Sequence, residues 1–386
     1  MKYPEKRNFL IVTASIGAGH NRAAEAIGNE IKGRYPQAGV HIVDFMSTKT
    51  AYLNGFLKDA YLKMLRLVPD VYEFLYGFSA GRVQGLSIQS LLALAMKSDM
   101  QSLIRRYEAD VVICTHPFPC AAAAYLKKTG QADIVLAGAI TDFAVHQLWV
   151  YRQVDLYFVG NERLKRELEG RGIEAGKVFA TGIPIHASFN KPCDRAALFR
   201  QFGFADNTPV LLIMGGGLGL GGVECALSSL EALRRPVQIF VVAGENQRLW
   251  ANLQKRAASS KNKIQVWGFS QRIQELMAVS TLLITKPGAL TVSEAMAMEL
   301  PMVLNEPIPG QERENAAYVE RTGAAVWVKS GEDLAAAVEA LLKAPEKLSR
   351  MRESARRCKQ PQAAREIVAR LDELLYKRCE STVAGM

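Results

Sequence analysis

The polar residues that are best suited to binding a ligand or to catalysis lie in the segment 286–315. Gly288 follows a short apolar run and precedes an Ala/Met/Leu-rich segment with helical spacing, which predicts a strand, a turn and a helix. Free backbone N–H groups and the positive end of the helix dipole attract anions, so this turn could bind a diphosphate. We expect Thr291, Ser293 and Glu294 in the first turn of the helix, where Glu294 could direct its carboxylate at the two hydroxyls of a ribose.

A second group of polar residues follows the next predicted strand, residues 301–304. Gln311 and Asn315 lie four residues apart, so one face of a helix would carry both amide groups. With the carboxylate of Glu312 they form the kind of polar cluster that recognises the hydroxyls of a sugar. The simpler interpretation is an ordinary strand and helix of an α/β protein, in which Glu294 is a solvated acid near a helix start.

His20 is the candidate for proton transfer. It ends a glycine-rich turn after the predicted strand 9–14 and precedes a helical run at 21–33. The positive end of a helix disfavours the imidazolium, which would keep His20 neutral and able to accept a proton. A lone histidine in this position is more often a cap or a core residue. The turn lacks the third glycine of a dinucleotide-binding fingerprint, so it supports that function only weakly.

Two further predicted strands of the same half, residues 111–114 and 134–140, also end in polar residues. Ligands of open parallel sheets bind at the carboxyl ends of the strands, so His20, His116 and Asp142 could converge on one crevice. Asp142 would then be an orienting partner of His20.

The glycine-rich run at 215–222 allows two interpretations. Gly217, Gly219 and Gly222 form a formal GxGxxG after the predicted strand 210–214, and Glu245 follows about twenty residues later, as in a nicotinamide-dependent dehydrogenase. Two more glycines precede the match, however, and the polar residues of the segment 286–315 have no obvious use in such an enzyme. The same exposed N–H groups would serve the diphosphate of a sugar nucleotide.

Length and composition indicate the class of protein. With 386 residues the chain suits two domains of about 150–200 residues each. It is 49% hydrophobic and 22% charged, and it has no apolar run typical of a membrane span or a signal peptide, which predicts a cytoplasmic globular protein. The six cysteines are scattered without CxxC pairs, which favours reduced thiols over zinc or disulfides.

The net charge of +10 is spread over both halves of the chain. A nucleic-acid-binding protein would more often concentrate its charge in one patch, so we expect no nucleic-acid partner. An anionic membrane surface or an anionic substrate would explain a diffuse excess. Between residues 52 and 82 seven aromatic residues are interleaved with basic ones. This pattern suits a membrane interface, and packing of the rings onto a sheet is the alternative.

Several motifs resemble those of the diacylglycerol glycosyltransferases, the monogalactosyl- and glucosyl-diacylglycerol synthases. They are GALTVSEA at 288–295, PGQERENA at 309–316, GAGH at 17–20, ITDF at 140–143, TGIPI at 181–185 and WGFSQRI at 267–273. These GT-B enzymes are in turn distantly similar to the lipid-linked N-acetylglucosaminyltransferase of peptidoglycan synthesis. The resemblance covers the chain from Ile11 to about Ala325. Two departures are Ala289, where the family usually has glycine, and GAGH in place of GGGH.

The resemblance implies a role for each site residue. His20 would be the catalytic base or an acceptor-site residue, and the backbone near Phe269 would bind uracil. The donor-binding residues would be Gly216, Gly217, Phe269, Gly288, Leu290, Thr291, Glu294, Gln311, Glu312 and Asn315. The acceptor-binding residues would be Gly19, His116, Pro117, Asp142 and Trp149. No DxD-like acidic pair occurs in a suitable loop, so we expect no catalytic metal and no cofactor besides the UDP-sugar co-substrate.

The fold that the resemblance implies is α/β of the GT-B class, with two doubly wound Rossmann-like domains facing each other across a cleft. We expect an acceptor-binding and membrane-associating domain at 1–190, a UDP-sugar-binding domain at 191–360, and a C-terminal helix within 361–386 that packs back on the first domain.

The implied activity is inverting transfer of a hexose, from UDP-glucose or UDP-galactose, to the hydroxyl of 1,2-diacylglycerol. The protein would be peripheral on the inner face of the cell membrane. The alternatives are transfer of N-acetylglucosamine to a polyprenyl-diphosphate-linked sugar in cell-wall synthesis, a NAD-dependent dehydrogenase, and a membrane-bound module without catalysis.

Overall fold

The computed structural model describes residues 7–14, 18–47, 85–217, 219, 222–308, 310–329 and 331–384. The aromatic and basic segment at 52–82 lies outside these residues, so its place at a membrane interface stays a prediction. The chain divides into two compact units. The first contains Met1–His186 and Gln362–Met386, and the second contains Ala187–Pro361.

The first unit is built on a parallel sheet, with six strands among the described residues. They are β1 (Asn8–Thr13), β2 (Gly39–Asp44), β3 (Val111–Cys114), β4 (Val135–Ala139), β5 (Leu156–Phe158) and β6 (Val178–Phe179). Their order across the sheet is β2-β1-β3-β4-β5-β6. Strands β3, β4 and β5 are buried along their whole length, as expected for strands covered on both faces. The connections reverse direction between β1 and β3, and such a switch point is where open α/β sheets bind ligands.

Helices cover this sheet on both faces. They are α1 (Ala18–Arg34), α2 (Gly85–Arg106), α3 (Pro117–Lys128), α4 (Glu162–Gly170) and, from the end of the chain, α13 (Ala363–Ala384). Ile27 of α1 and Leu371 of α13 are buried in one hydrophobic cluster with Ile11 of β1. Met100 of α2 and Leu126 of α3 belong to the cluster on the other face. The C-terminal helix is therefore part of the core of the first unit.

The second unit contains another parallel sheet, again with six strands among the described residues. They are β7 (Val210–Met214), β8 (Gln238–Val242), β9 (Lys263–Trp267), β10 (Leu282–Thr285), β11 (Met302–Leu304) and β12 (Ala325–Trp327). The order β12-β11-β10-β7-β8-β9 places the switch point between β7 and β10. The register there pairs Thr285, the last residue of β10, with Met214, the last residue of β7. The turns that follow these two strands therefore start side by side.

The helices of the second unit connect these strands. They are α5 (Arg195–Phe202), α6 (Val223–Leu230), α7 (Gln247–Ser259), α8 (Ile273–Val279), α9 (Ala289–Ala297), α10 (Gln311–Thr322), α11 (Leu334–Leu342) and α12 (Pro345–Cys358). Within the described parts of the chain, no helix is long and apolar enough to cross a membrane.

Sequence periodicity predicts nine of the strands to within two residues of their observed bounds, at 9–14, 40–44, 111–114, 134–140, 210–214, 237–244, 265–269, 281–284 and 301–304. It did not identify β5, β6 and β12, which have three, two and three residues. Strands this short contain too few positions to show either alternation or a sustained apolar run.

Candidate active site

His20 is held in place at the switch point of the first sheet. It is the third residue of α1, and its Nδ1 atom lies 2.9 Å from the carbonyl oxygen of Thr115, directly after β3. The hydroxyl of Thr141, which follows β4, lies 2.7 Å from the same nitrogen. In return, the Thr115 hydroxyl donates to the backbone carbonyl of His20 at 3.1 Å. Three chain segments therefore fix the position and orientation of the imidazole.

These contacts also determine the protonation state of His20. A carbonyl oxygen can only accept, so Nδ1 carries the hydrogen and Nε2 carries the lone pair. Burial lowers the pKa of His20 from 6.5 to about 4, and the hydrogen bond to Thr115 opposes the shift only in part. At neutral pH the side chain is an uncharged imidazole, the form that a general base requires.

His116 has a structural task in addition to its place beside His20. Its Nδ1 accepts a hydrogen bond from the N–H of Phe118 at 3.2 Å and thereby caps α3, whose first residue is Pro117. The rings of His20 and His116 pack edge to face with centroids 4.9 Å apart. Burial, and to a lesser extent the neighbouring His20, lowers the pKa of His116 well below its usual value, so this pair stays uncharged at neutral pH.

The contacts of His20 and of Trp149 bear on two expectations for the first unit. Thr115 and Thr141 contact Nδ1 of His20, and Asp142, the expected orienting partner, is the next residue after Thr141, so its role stays a prediction. Trp149, expected in the acceptor site, is only 2% exposed and packs in the hydrophobic core, where its carbonyl accepts from the Tyr157 hydroxyl at 2.5 Å. We therefore assign Trp149 to the core, because its side chain packs among the apolar residues of the hydrophobic cluster.

His146 makes the stability of the first unit sensitive to acid. Its Nδ1 caps the short helix Gln147–Trp149, and burial, together with the nearby Arg171, lowers its pKa to about 4. An unfolded histidine titrates near 6.5, so between pH 6.5 and pH 4 the unfolded chain binds the additional proton and the free energy of unfolding falls as pH falls.

We predict that H146N reduces this acid sensitivity. Asparagine preserves the cap but does not titrate. Denaturant unfolding at pH 7 and pH 4 should show a loss of stability about 3 kcal/mol smaller in H146N than in the wild type. An equal loss in both proteins would contradict the assignment.

In the second unit, the described glycines that follow β7 lie at the switch point and make close backbone contacts. Gly216 has a φ of +75°, and its carbonyl accepts from the N–H of Gly219 at 3.0 Å. The Gly217 carbonyl accepts from the N–H of Glu245 at 2.8 Å. Gly244, with a φ of +62°, lies so close that a Cβ there would overlap the Gly217 carbonyl. The turns after β7 and β8 thus pack backbone to backbone, which places Glu245 where a dehydrogenase would also have its acid.

Three helices near this switch point have glycine at the N-cap position and therefore no side-chain cap, and we call them the glycine-started helices. They are α6, α9 and α10, which start after Gly222, Gly288 and Gly310. The starts of α8 and α12 also lack a side-chain cap but follow other residues, whereas asparagine or aspartate side chains cap α5, α7 and α11. At the glycine-started helices no cap side chain accepts from the first N–H groups, and no Cβ occupies the cap position, as an anion-binding turn requires.

The polar residues expected to bind the donor lie on these helices, with one correction. Helix α9 begins at Ala289, so Thr291 is in its first turn but Ser293 and Glu294 are in the second. Ser293 donates back to the Ala289 carbonyl at 2.8 Å. Glu294 is only 2% exposed, which excludes the interpretation of a solvated acid near a helix start.

The remaining donor candidates differ in exposure. Leu290 is buried at the start of α9, and Phe269 is 47% exposed after β9. Gln311 and Asn315 both lie on α10, as the spacing indicated, and Asn315 is completely buried. Glu312 forms an ion pair with Lys286, a residue to which the sequence analysis assigned no role.

Glu306, in the loop between β11 and α10, also had no assigned role. It is a non-glycine residue with a φ of +45°. Its carboxylate lies against Gly222, at the start of α6. Among the described residues, no group of three acidic, histidine or cysteine side chains is placed to hold a metal ion.

Comparison with known proteins identifies relatives of the whole chain. Residues 20–185 match the family described as monogalactosyldiacylglycerol (MGDG) synthase, and residues 194–358 match glycosyl transferases group 1. A processive diacylglycerol β-glucosyltransferase of Bacillus cereus is 32% identical over 363 residues, which cover 93% of this chain and 92% of that protein. The protein of the same name from Bacillus mycoides matches with the same identity and coverage.

Solved structures share the fold at much lower identity. MurG of Acinetobacter baumannii has a TM-score of 0.62 at 16% identity, covering 95% of this chain and 99% of MurG. The MnaA–UDP co-structure of S. aureus has a TM-score of 0.64 at 13% identity, covering 96% and 97%. Two parallel Rossmann-like sheets of this kind form the GT-B fold. With this fold and the match to the B. cereus enzyme over nearly its full length, the chain belongs to the diacylglycerol glycosyltransferase family.

Proposed function

We propose that this protein transfers a hexose from a UDP-sugar to the hydroxyl of 1,2-diacylglycerol with inversion at the anomeric carbon. The observation that carries the proposal is the set of three glycine-started helices α6, α9 and α10, which follow the strands β7 and β10 at the switch point of the second sheet and the adjacent strand β11. Their N–H groups and dipoles suit the diphosphate of a sugar nucleotide. Membership of a glycosyltransferase family removes the support for a dehydrogenase, which the glycine run alone would allow.

The acceptor is proposed from the relatives, which are named diacylglycerol β-glucosyltransferases. UDP as the nucleotide is consistent with the solved structures of the same fold that contain UDP or UDP-glucose. We assign acceptor binding to the domain 1–190 and donor binding to the domain 191–360. Gly19, His116, Pro117 and Asp142 remain the proposed acceptor-binding residues.

His20 is the proposed base. Its Nε2 lone pair would take the proton of the acceptor hydroxyl while the oxygen attacks the anomeric carbon. The bond from that carbon to the β-phosphate oxygen breaks, and its electron pair leaves with UDP. The helix starts of the second unit would stabilise the charge that grows on the leaving diphosphate.

Product analysis tests the proposal. The purified protein is given labelled UDP-glucose or UDP-galactose with diacylglycerol in anionic vesicles, and the lipids are separated by thin-layer chromatography. We expect a hexosyl-diacylglycerol from one of the two donors, and the number of product bands shows whether more than one sugar is added. Labelled product only with a polyprenyl-diphosphate-linked acceptor would favour cell-wall synthesis and contradict the diacylglycerol assignment.

Two variations of the assay test the proposed anionic membrane surface and the proposed independence of a metal ion. A peripheral protein with an excess of positive charge should form product faster on anionic than on neutral vesicles. Transfer without a catalytic metal should keep its rate in EDTA. Equal rates on both vesicles would contradict the anionic-surface proposal, and loss of product in EDTA would contradict metal independence.

A further inference from the structure

We propose that Lys286 binds the diphosphate of the donor and that Glu312 is the residue that positions its ammonium group. The inference rests on the proposed function, because it concerns the leaving group of that reaction. It also changes the role of Glu312, which was expected to contact the sugar directly.

Lys286 lies next to the switch point of the second sheet. It is the first residue after β10, whose last residue pairs with the last residue of β7 at the switch point of the sheet. Lys286 Cε lies 3.3 Å from the place that a Cβ on Gly216 would take. Its Nζ lies 3.7 Å from the corresponding place at Gly288. The ammonium therefore lies beside both glycine turns proposed to bind the diphosphate.

Glu312 holds the side chain of Lys286 in a defined position. One carboxylate oxygen of Glu312 pairs with the ammonium, and the other accepts from the N–H of Ile308 at 2.9 Å. Both oxygens thus have protein partners, and the carboxylate links the turn after β10 to the loop before α10. An ammonium has three donors, so pairing with Glu312 leaves Lys286 able to donate to phosphate oxygens.

The ion pair of Lys286 and Glu312 is largely buried. The side chains of Lys286 and Glu312 are 15% and 14% exposed. The cost of removing two charges from water makes a buried ion pair a poor source of stability. Replacement of such a pair by apolar residues of similar volume often leaves the stability unchanged or increases it. A cation in this position therefore suits the binding of a negatively charged ligand better than it suits the stability of the fold.

In the proposed reaction, Lys286 would stabilise the negative charge of the leaving group. As the bond between the anomeric carbon and the β-phosphate oxygen breaks, its electron pair passes to the diphosphate. A fixed positive charge nearby stabilises this developing negative charge, and Lys286 neither gives nor receives a proton in the step. The contribution of Glu312 is indirect, since it acts through Lys286.

The test compares the dissociation constants of UDP and of uridine, which has the same base and ribose but no phosphate. In K286M the affinity for UDP should fall about 10- to 100-fold, the range for hydrogen bonds to charged groups, while the affinity for uridine stays unchanged. K127M is the matched control, because Lys127 forms a similarly buried pair with Asp155 in the other unit, at 19% and 20% exposure. It should bind UDP like the wild type.

E312Q and the double variant K286M/E312Q test the positioning role. Removing Glu312 should weaken UDP binding less than removing Lys286, and the double variant should bind UDP no more weakly than K286M, because Glu312 acts through Lys286. The double variant also leaves no unpaired charge, which guards against a loss of folding in K286M, and circular dichroism checks every variant.

An unchanged ratio of UDP to uridine affinity in K286M and in the double variant would overturn the proposal. Wild-type protein that binds neither UDP nor uridine would contradict the proposed function itself, and the inference would fail with it. Equal weakening of UDP and uridine in K286M would show a general disturbance of the site and would also overturn the role in diphosphate binding.

Discussion

Replacement of His20 by alanine is expected to lower kcat by about 10²- to 10⁴-fold, the usual contribution of a positioned general base. The reason is the oriented, neutral imidazole, whose Nδ1 is held by Thr115 and Thr141 while Nε2 keeps its lone pair. Binding of UDP should be unaffected, because the proposed donor residues belong to the other unit. The measurement is initial-rate kinetics of hexosyl-diacylglycerol formation, together with UDP titration of the same preparation.

The exposed histidine His186 supplies the control for this prediction. H186A should keep the kcat of the wild type. Near-normal turnover in H20A would remove His20 from the mechanism, whereas loss of both turnover and UDP binding would indicate that the substitution disturbs the protein more widely.

The pH dependence of kcat gives a separate readout of the same base. The pKa of His20 is lowered to about 4, so protonation should inactivate the enzyme only as the pH falls towards that value. A profile that already declines around pH 6.5, the value of an ordinary histidine, would contradict the assignment.

Replacement of Glu294 by alanine is expected to weaken UDP binding by about 10²- to 10⁴-fold. Two hydrogen bonds from ribose hydroxyls to a carboxylate are worth about 1.5–3 kcal/mol each. Glu294 is only 2% exposed, so its carboxylate is kept away from bulk water, where it would be screened. Calorimetric titration of the variant with UDP measures the effect.

A nucleotide that lacks the two hydroxyls makes this test specific. Wild-type protein should bind 2′,3′-dideoxy-UDP as weakly as E294A binds UDP, and E294A should bind both nucleotides alike. E314A, at an exposed position of α10, is the control and should bind UDP normally. If E294A still preferred UDP to the dideoxy analogue by the wild-type factor, Glu294 could not be the group that recognises the ribose.

The two sites follow the same structural rule. Each lies where the connections of a parallel sheet reverse direction, at β1 and β3 in the first unit and at β7 and β10 in the second. At these points the turns separate, and a helix start is exposed beside a polar residue from the neighbouring strand. His20 with Thr115, and Gly216 with Lys286, are the two examples in this protein.

The sequence by itself determined the α/β class, nine of the strands, and the glycine-rich segments next to the starts of α1, α6 and α9. The start of α1 was expected after His20 but lies at Ala18. These features are local: apolar runs bury strands, and glycine followed by helical spacing starts a helix, whatever the rest of the chain does. The motifs around these turns were also sufficient to indicate the family, which the match with the diacylglycerol β-glucosyltransferase confirms.

Only the tertiary structure decided which side chains act together. The partners of His20 lie 95 and 121 residues away in the chain, and Lys286 is 26 residues from Glu312, separations at which periodicity carries no information. Trp149 is in the core and Glu294 is buried because of the layers packed over them, although both sequence positions would equally suit a surface. Contacts of this kind arise from the order of strands in the sheet, and that order is a property of the folded chain.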